Sequence, residues 1–325
     1  MKGVERPEAD IYCRSCESMP ELADGSVTLT FTSPPYWSLV DFATYARTGS
    51  RDAAWHNTYD GQYRTYGEYL AAMTRVFAEV YRVTKPGGFL ALQVASMQRD
   101  GRCYPIGFDM VPRLVELGWE YREFILWNKT RDTSQRAGLA IQHPYPGYYY
   151  PSLIAEHLII FRKPGPKLFK NVDPKMKERS RLPISPVFTR DVLKSVWHIP
   201  VVHPSTAKHP TVYPEELCQR VIALWSYPGD LVLDPFLGSG QTTKVARAMG
   251  RRSVGYDIEP EFVELAQSRL DEPLQLRRKQ IIPRYDHVED DEFLHVGLIR
   301  EEPVPDNKER ASTTRPDPAE RDDRP

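Results

Sequence analysis

Leu231-Val232-Leu233-Asp234-Pro235-Phe236-Leu237-Gly238-Ser239-Gly240 is the stretch on which the fold turns. An apolar run of strand length ends in an acid, a glycine turn follows, and a helical pattern continues to Gly250. Glycines let backbone approach a ligand closely, and the helix N-terminus behind them offers unpaired N–H donors. The next strand-like run, Ser253-Val254-Gly255-Tyr256, ends in Asp257. A carboxylate at that place accepts hydrogen bonds from both ribose hydroxyls of an adenosine. Thr243 stands where a dinucleotide fingerprint has its third glycine, which disfavours NAD, and no phosphate-loop signature is present. The loop alone also fits a plain tight turn.

Working outward, strand-like runs alternate with amphipathic stretches, the pattern of an open α/β sheet. Val27-Thr28-Leu29-Thr30-Phe31 reads as a buried strand. From Glu68 a helix places Tyr69, Met73, Val76, Phe77 and Val80 on one face, then stops at Lys85-Pro86-Gly87-Gly88. Phe89 to Val94 reads as the next strand, a helix near 106–117 ends at Gly118, and Glu120 to Trp127 and Ala155 to Phe161 read as further strands. Pro260 opens a last helix whose inner face is Phe262, Leu265, Ala266 and Leu270. The expected division is a catalytic domain over 1–163 and 208–270, a small basic insert at 164–207, and a charged, mostly disordered tail at 271–325.

Composition narrows the class. The chain has 325 residues, 41% hydrophobic, and a formal net charge of -1, so no global basic field advertises a polyanion partner. Locally the balance differs: Arg162, Lys163, Lys167, Lys170, Lys175, Lys177, Arg179, Arg181, Arg190 and Lys194 face only Asp173, Glu178 and Asp191. The start, MKGVERPEAD, lacks the apolar stretch of a secretory signal, and no run has bilayer length, so a cytoplasmic location is the expectation. Four cysteines are too few and scattered for a disulfide framework. Cys13 and Cys16 form a C-x-x-C without a second pair to complete a zinc site, and read as small residues where a strand enters its loop; no metal is expected.

Thr32-Ser33-Pro34-Pro35-Tyr36-Trp37 follows the first buried strand. Two prolines fix an extended turn and remove two backbone donors, leaving the Ser33 hydroxyl and the carbonyls of Ser33 and Pro34 as acceptors. Tyr36 and Trp37 add flat faces beside them. A planar base carrying an NH₂ finds there a ring to stack on and carbonyls for its N–H groups. Acceptors that hold both N–H groups localise the amine lone pair and spread the positive charge that develops on attack.

The pair Ser33-Pro34-Pro35-Tyr36 and Asp234-Pro235-Phe236-x-Gly238-x-Gly240 resembles the amino methyltransferases of DNA, in the permuted order called the β class. Arg82-Val83-x-Lys85-Pro86-Gly87-Gly88, Trp127-x-Lys129, Glu156 through Lys163 and His209-Pro210 extend the likeness over most of 11–270. It implies a Rossmann-like, mostly parallel seven-stranded sheet with one antiparallel strand, and S-adenosylmethionine at its switch point. It also implies double-stranded DNA as partner, with a cognate restriction endonuclease as companion. Asp234 is then placed at the methionine end of the cofactor and Asp257 at the ribose, with Pro235, Phe236, Gly238, Ser239, Gly240, Thr242, Ile258, His209 and Pro210 around it. Ser15 stands where the family often has an aspartate for the adenine, and a hydroxyl bonds an amine less strongly than a carboxylate. Ser33, Pro34, Pro35 and Tyr36 form the catalytic turn, and Ser33 in place of aspartate is similar to the cytosine-N4 enzymes more than the adenine-N6 ones. The base-reading part falls at 164–207, where Lys175, Lys177 and Arg179 suit phosphates and Arg181, Arg190 or Trp197 suit base edges; Trp37 is a further DNA candidate.

Two rival readings remain. A DNA-binding protein with a degenerate cofactor site is favoured only by Ser15. A Rossmann-type dehydrogenase explains the glycine loop and leaves Ser33-Pro34-Pro35-Tyr36 without a job.

Overall fold

The structure is a computed structural model that describes residues 7–35, 37, 63–99, 102–129, 154–182, 192–201 and 212–274. Its strands are β1 (Ala9–Cys13), β2 (Val27–Thr32), β3 (Thr84–Val94), β4 (Met97–Arg99), β5 (Arg102–Tyr104), β6 (Glu120–Asn128), β7 (Ala155–Arg162), β8 (Val196–His198), β9 (Leu231–Asp234) and β10 (Arg252–Asp257). Its helices are α1 (Tyr66–Val83), α2 (Ile106–Glu116), α3 (Pro174–Arg179), α4 (Glu215–Trp225), α5 (Gln241–Ala248) and α6 (Pro260–Arg269), with a 3-10 turn at Leu168–Asn171.

One sheet runs β1-β10-β9-β2-β3-β7-β6-β8, with β7 antiparallel to both neighbours and every other pairing parallel. The mostly parallel sheet with one reversed strand is therefore present, and it carries an eighth strand beyond the seven expected. That strand comes from the segment read as an insert. Val196, Trp197 and His198 pair with Leu126, Trp127 and Asn128, and Trp197 is fully buried. Its periodicity was hidden because only three residues pair, within a run of Pro, Lys and Arg.

Local chemistry explains the elements. β2 is buried at every position, as a central parallel strand requires. α1 begins with a reciprocal cap, the Thr65 hydroxyl accepting from the Glu68 N–H while the Glu68 carboxylate accepts from the Thr65 N–H. All five residues expected on its inner face are buried. α6 starts at Pro260 but turns Val263, Ala266 and Arg269 fully inward, with Phe262, Leu265 and Leu270 only half-buried. The expected face is thus rotated, because the Arg269 guanidinium has acceptors to reach beneath the glycine loop.

Two apolar layers sandwich the sheet. Leu90, Leu92 and Val94 pack with α1 and α2 on one side, while Phe31, Ala91, Leu158, Trp127 and Val232 pack with α4 and α5 on the other. From β2 the chain moves to β3 on one side, and from β9 to β10 on the other. The boundary between β2 and β9 is thus the switch point, where the loops after both strands open at the carboxyl edge. Among the described residues, no helix is long and apolar enough to cross a membrane.

Candidate active site

The two motifs meet at that switch point. Leu29 and Thr30 of β2 pair with Val232 and Leu233 of β9, which brings Thr32 beside Asp234. The Thr32 hydroxyl donates to Asp234 Oδ1 at 2.7 Å, and the Phe236 N–H reaches the same oxygen at 3.2 Å. The Tyr213 hydroxyl donates to Asp234 Oδ2 at 3.1 Å and lies 2.6 Å from Thr242 Oγ1. Thr242 in turn donates to the Phe31 carbonyl. Asp234 is wholly buried, and burial raises its pKa against the pull of these donors. Its role in the structure is to tie the turn after β2 to the glycine loop after β9. Ser33 and Pro35 are half-buried and Pro34 is buried.

The glycine loop uses its glycines. Gly238 and Gly240 both have positive φ, at 49° and 73°. A Cβ on Gly240 would lie 2.7 Å from the Ala266 Cβ, so the close approach there is to α6. Asp257 closes the site from β10, with the Gly238 N–H on Oδ2 at 2.8 Å and the Glu259 N–H on Oδ1 at 3.0 Å. Burial lifts its pKa from 3.8 to about 6, opposed by these two N–H groups and reinforced by Asp234. Each carboxylate oxygen keeps a further lone pair. A buried acid held at some cost in a crevice, with acceptor capacity to spare, fits the two adjacent hydroxyls of a ribose. Ile258 follows Asp257, and its carbonyl faces the Cys13 thiol. Cys13 pairs with Asp257 across β1 and β10, so Ser15, exposed and accepting from the Glu17 N–H, lies just past that rung. Cys13 and Cys16 divide, the first exposed and the second buried, its thiol pKa pushed up by burial.

Three residues that the sequence reading missed support the site. Tyr213 precedes α4 and was visible only as part of the segment leading from His209-Pro210. Arg269 donates to the Ser239 carbonyl and to Gln241 Oε1, both at 2.7 Å, and so grips the glycine loop from behind. Lys244, fully buried in α5, lies 2.8 Å from Glu215 and 3.1 Å from Glu272. The signal for Arg269 was its three-residue spacing from Ala266 and Val263 on the inner face of α6.

The structure also corrects two expectations about DNA contacts. Trp37 is 7% exposed, donates to the Tyr63 carbonyl at 3.0 Å and packs on Tyr66 and Tyr104. Its large apolar ring packs in the core just past the Ser33-Pro34-Pro35 turn instead of offering a face to DNA. Trp197 is fully buried, donates to the Val192 carbonyl and has the Arg220 guanidinium 5.2 Å above its ring, so it reads no base edge. Lys175, Lys177 and Arg181 are exposed on and just after α3. Tyr36, His209, Pro210, Arg190 and the Arg179 side chain lie outside the described residues.

Known proteins resemble this chain, some in sequence and some in fold. The type II methyltransferase M.MthZI of Methanothermobacter thermautotrophicus is 29% identical over 300 residues, spanning 86% of this chain and 81% of its own. The type II methyltransferase M.MjaI of Methanocaldococcus jannaschii is 28% identical over 286 residues, 81% of this chain and 90% of that one. The TTHA0409 protein of Thermus thermophilus, solved with S-adenosyl-L-methionine, superposes with a TM-score of 0.59 at 27% identity, covering 81% of this chain and 93% of that one. The cytosine-N4-specific PvuII DNA methyltransferase shares the fold at a TM-score of 0.57 and 16% identity, covering 90% and 94%. The N6/N4 DNA methylase family matches residues 27–268, from β2 into α6, and the chain belongs to that family.

Proposed function

We propose that the protein transfers a methyl group from S-adenosylmethionine to the exocyclic N4 amine of a flipped cytosine at specific sites in double-stranded DNA. The observation that carries this reading is the junction at the switch point. The acceptor-rich Ser33-Pro34-Pro35 turn is held to the glycine loop by the 2.7 Å bond from Thr32 to Asp234, so base and cofactor sites adjoin. Bound S-adenosylmethionine supplies an electrophilic methyl on sulfonium. The chain's own residues do the rest. Asp257 and Ser15 hold the ribose and adenine ends, while Phe236, Gly238, Ser239, Gly240, Thr242 and the Asp234-Pro235 corner shape the bed, with Ile258 at its margin; the family resemblance assigns His209 and Pro210 to the methionine moiety. The carbonyls of Ser33 and Pro34 take the amine N–H groups and stabilise charge as it forms on nitrogen. Tyr36 stacks on the base.

Cytosine is favoured by Ser33 at the first position of the four-residue motif; adenine N6 in the same turn is the second reading. The order of motifs, catalytic before cofactor, supports the permuted β class. The exposed Lys175, Lys177 and Arg181 support a phosphate-binding role for the basic segment, the target-recognition part of the 164–207 insert. The type II names of the relatives support a restriction-modification setting with a cognate endonuclease. The test is to methylate DNA with labelled S-adenosylmethionine and identify the modified nucleoside by mass spectrometry. N4-methylcytosine is expected. N6-methyladenine overturns the choice of base, and binding without any transfer overturns the enzyme reading in favour of a binding protein.

A further inference from the structure

A row of polar side chains crosses five strands at the carboxyl edge of the sheet. Val232, Phe31, Ala91, Leu158 and Trp127 belong to one apolar layer, on the α4 and α5 face. Side chains alternate faces along a strand, so the next position on that face toward the carboxyl edge is Asp234 after Val232 and Gln93 after Ala91, while Ser33 is the first residue past the end of β2. Likewise Glu156 stands beyond Leu158 on the reversed strand, and Lys129 beyond Trp127. Thr32 pairs with Leu92 as the last rung between β2 and β3, so Ser33 and Gln93 are the residues that follow that rung on neighbouring chains. Gln93 pairs with Leu158, one same-face step from Glu156.

The last three members of the row are bonded to one another. Gln93 is 2% exposed and Glu156 8%. The Gln93 amide donates to Glu156 Oε2, and the Lys129 ammonium pairs with Glu156 Oε1, its side chain 14% exposed. Apolar residues of equal volume would hold these strands at least as well, since burying an ion pair strips both charges of water. Such a pair at the edge where ligands bind is better explained by a ligand than by stability.

We infer that Gln93 reads the ring nitrogen beside the target amine, and that Glu156, anchored by Lys129, is the positioning residue that fixes the orientation of the Gln93 amide. A carboxylate in an ion pair only accepts, so the NH₂ end of Gln93 must face Glu156. One hydrogen of that NH₂ is thereby used. The strand has β7 on one side and β2 on the other, so the second N–H turns from Glu156 to the side of Ser33. With the exocyclic amine on the Ser33 and Pro34 carbonyls, the adjoining ring nitrogen meets this donor. That nitrogen is N3 in cytosine and N1 in adenine, a lone-pair acceptor in both. Guanine and thymine carry an N–H on the corresponding edge and are refused, because two donors then face each other without water. The inference rests on the base site proposed above and accounts for selection of an amino-bearing, acceptor-edged base.

The full-length enzyme tests it. After the methylated position has been mapped, duplexes are made with the target base replaced by its deaza analogue, 3-deazacytosine (or 1-deazaadenine if adenine is the product). These keep the amine and replace the ring acceptor with C–H. Single-turnover methylation by the wild type should fall roughly five- to a hundred-fold, the range for a buried donor left unpaired. Gln93→Met, which keeps the volume, should lose a similar factor on the natural base and show no further loss on the analogue. Glu156→Gln should shrink the discrimination while S-adenosylmethionine binding, measured by calorimetry, stays at the wild-type level. A wild type that methylates both bases equally well overturns the inference without any variant, as does a folded Gln93→Met that still discriminates fully. Failure of the wild type to methylate any DNA amine would instead strike the base-site reading on which the inference rests.

Discussion

Replacing Asp257 with asparagine separates the acid's function from its effect on stability. Burial lifts its pKa from 3.8 to about 6, which makes the ionised form about 3 kcal/mol less favourable in the folded protein than in the unfolded chain. A folded pKa above the unfolded one stabilises the fold below about pH 3.8, and that contribution is lost as the pH rises through about 6. Above that range the ionised acid therefore weakens the fold. Asp257→Asn removes this penalty but also removes one acceptor, so either the Gly238 or the Glu259 N–H loses its partner, at about 1–3 kcal/mol. The two effects offset, and the urea midpoint at neutral pH should change little. On the ribose-binding role proposed for Asp257, cofactor binding should not be spared, because the hydroxyls would lose hydrogen bonds to a charged group worth about 1.5–3 kcal/mol, roughly 10- to 150-fold in Kd. Calorimetry with S-adenosylmethionine measures this directly. The same experiment across pH should show wild-type affinity falling below about pH 6 as Asp257 takes up a proton, and the variant lacking that inflection. A folded Asp257→Asn protein with wild-type affinity, or a wild type whose affinity ignores pH through this range, would refute the assignment.

Other perturbations address the frame around the site. Lys244→Met removes a buried ammonium that lies 2.8 Å from Glu215 and 3.1 Å from Glu272 and should destabilise the protein by about 1–3 kcal/mol; an unchanged denaturation midpoint would contradict the structure. Trp37→Ala should cost about 3–5 kcal/mol, because the indole is core. If it weakened DNA binding at full stability, a DNA-facing role would return to Trp37. Neutralising Lys175, Lys177 and Arg179 together should reduce the salt dependence of DNA binding, by about 0.9 in slope for each phosphate no longer neutralised; an unaltered slope would place the DNA face elsewhere.

The sequence by itself was enough for the alternation of strands and helices, the glycine loop, Asp257 and the Ser33-Pro34-Pro35 turn. These are local signals. A glycine at positive φ, a proline pair and a buried strand run each declare themselves within a few residues. The face of α1 was legible for the same reason, since all five of its predicted inner residues follow a single helical period. The face of α6 was misread because the periodicity of apolar residues ignores an arginine, and Arg269 turns inward for carbonyl and amide acceptors that belong to another loop. Aromatics after the proline pair and within a basic segment looked available to DNA. Burial of Trp37 and Trp197 depends on neighbours distant in sequence, such as Tyr104 and Arg220.

Only the tertiary structure decided which local pieces share a site. Thr32 and Asp234 bond across 202 positions of sequence, and the row of Asp234, Ser33, Gln93, Glu156 and Lys129 exists only once five strands are in register. The reason is geometric. Alternation along each strand assigns a side chain to a face, but pairing register and strand order, set by the packing of the whole sheet, decide what stands beside it.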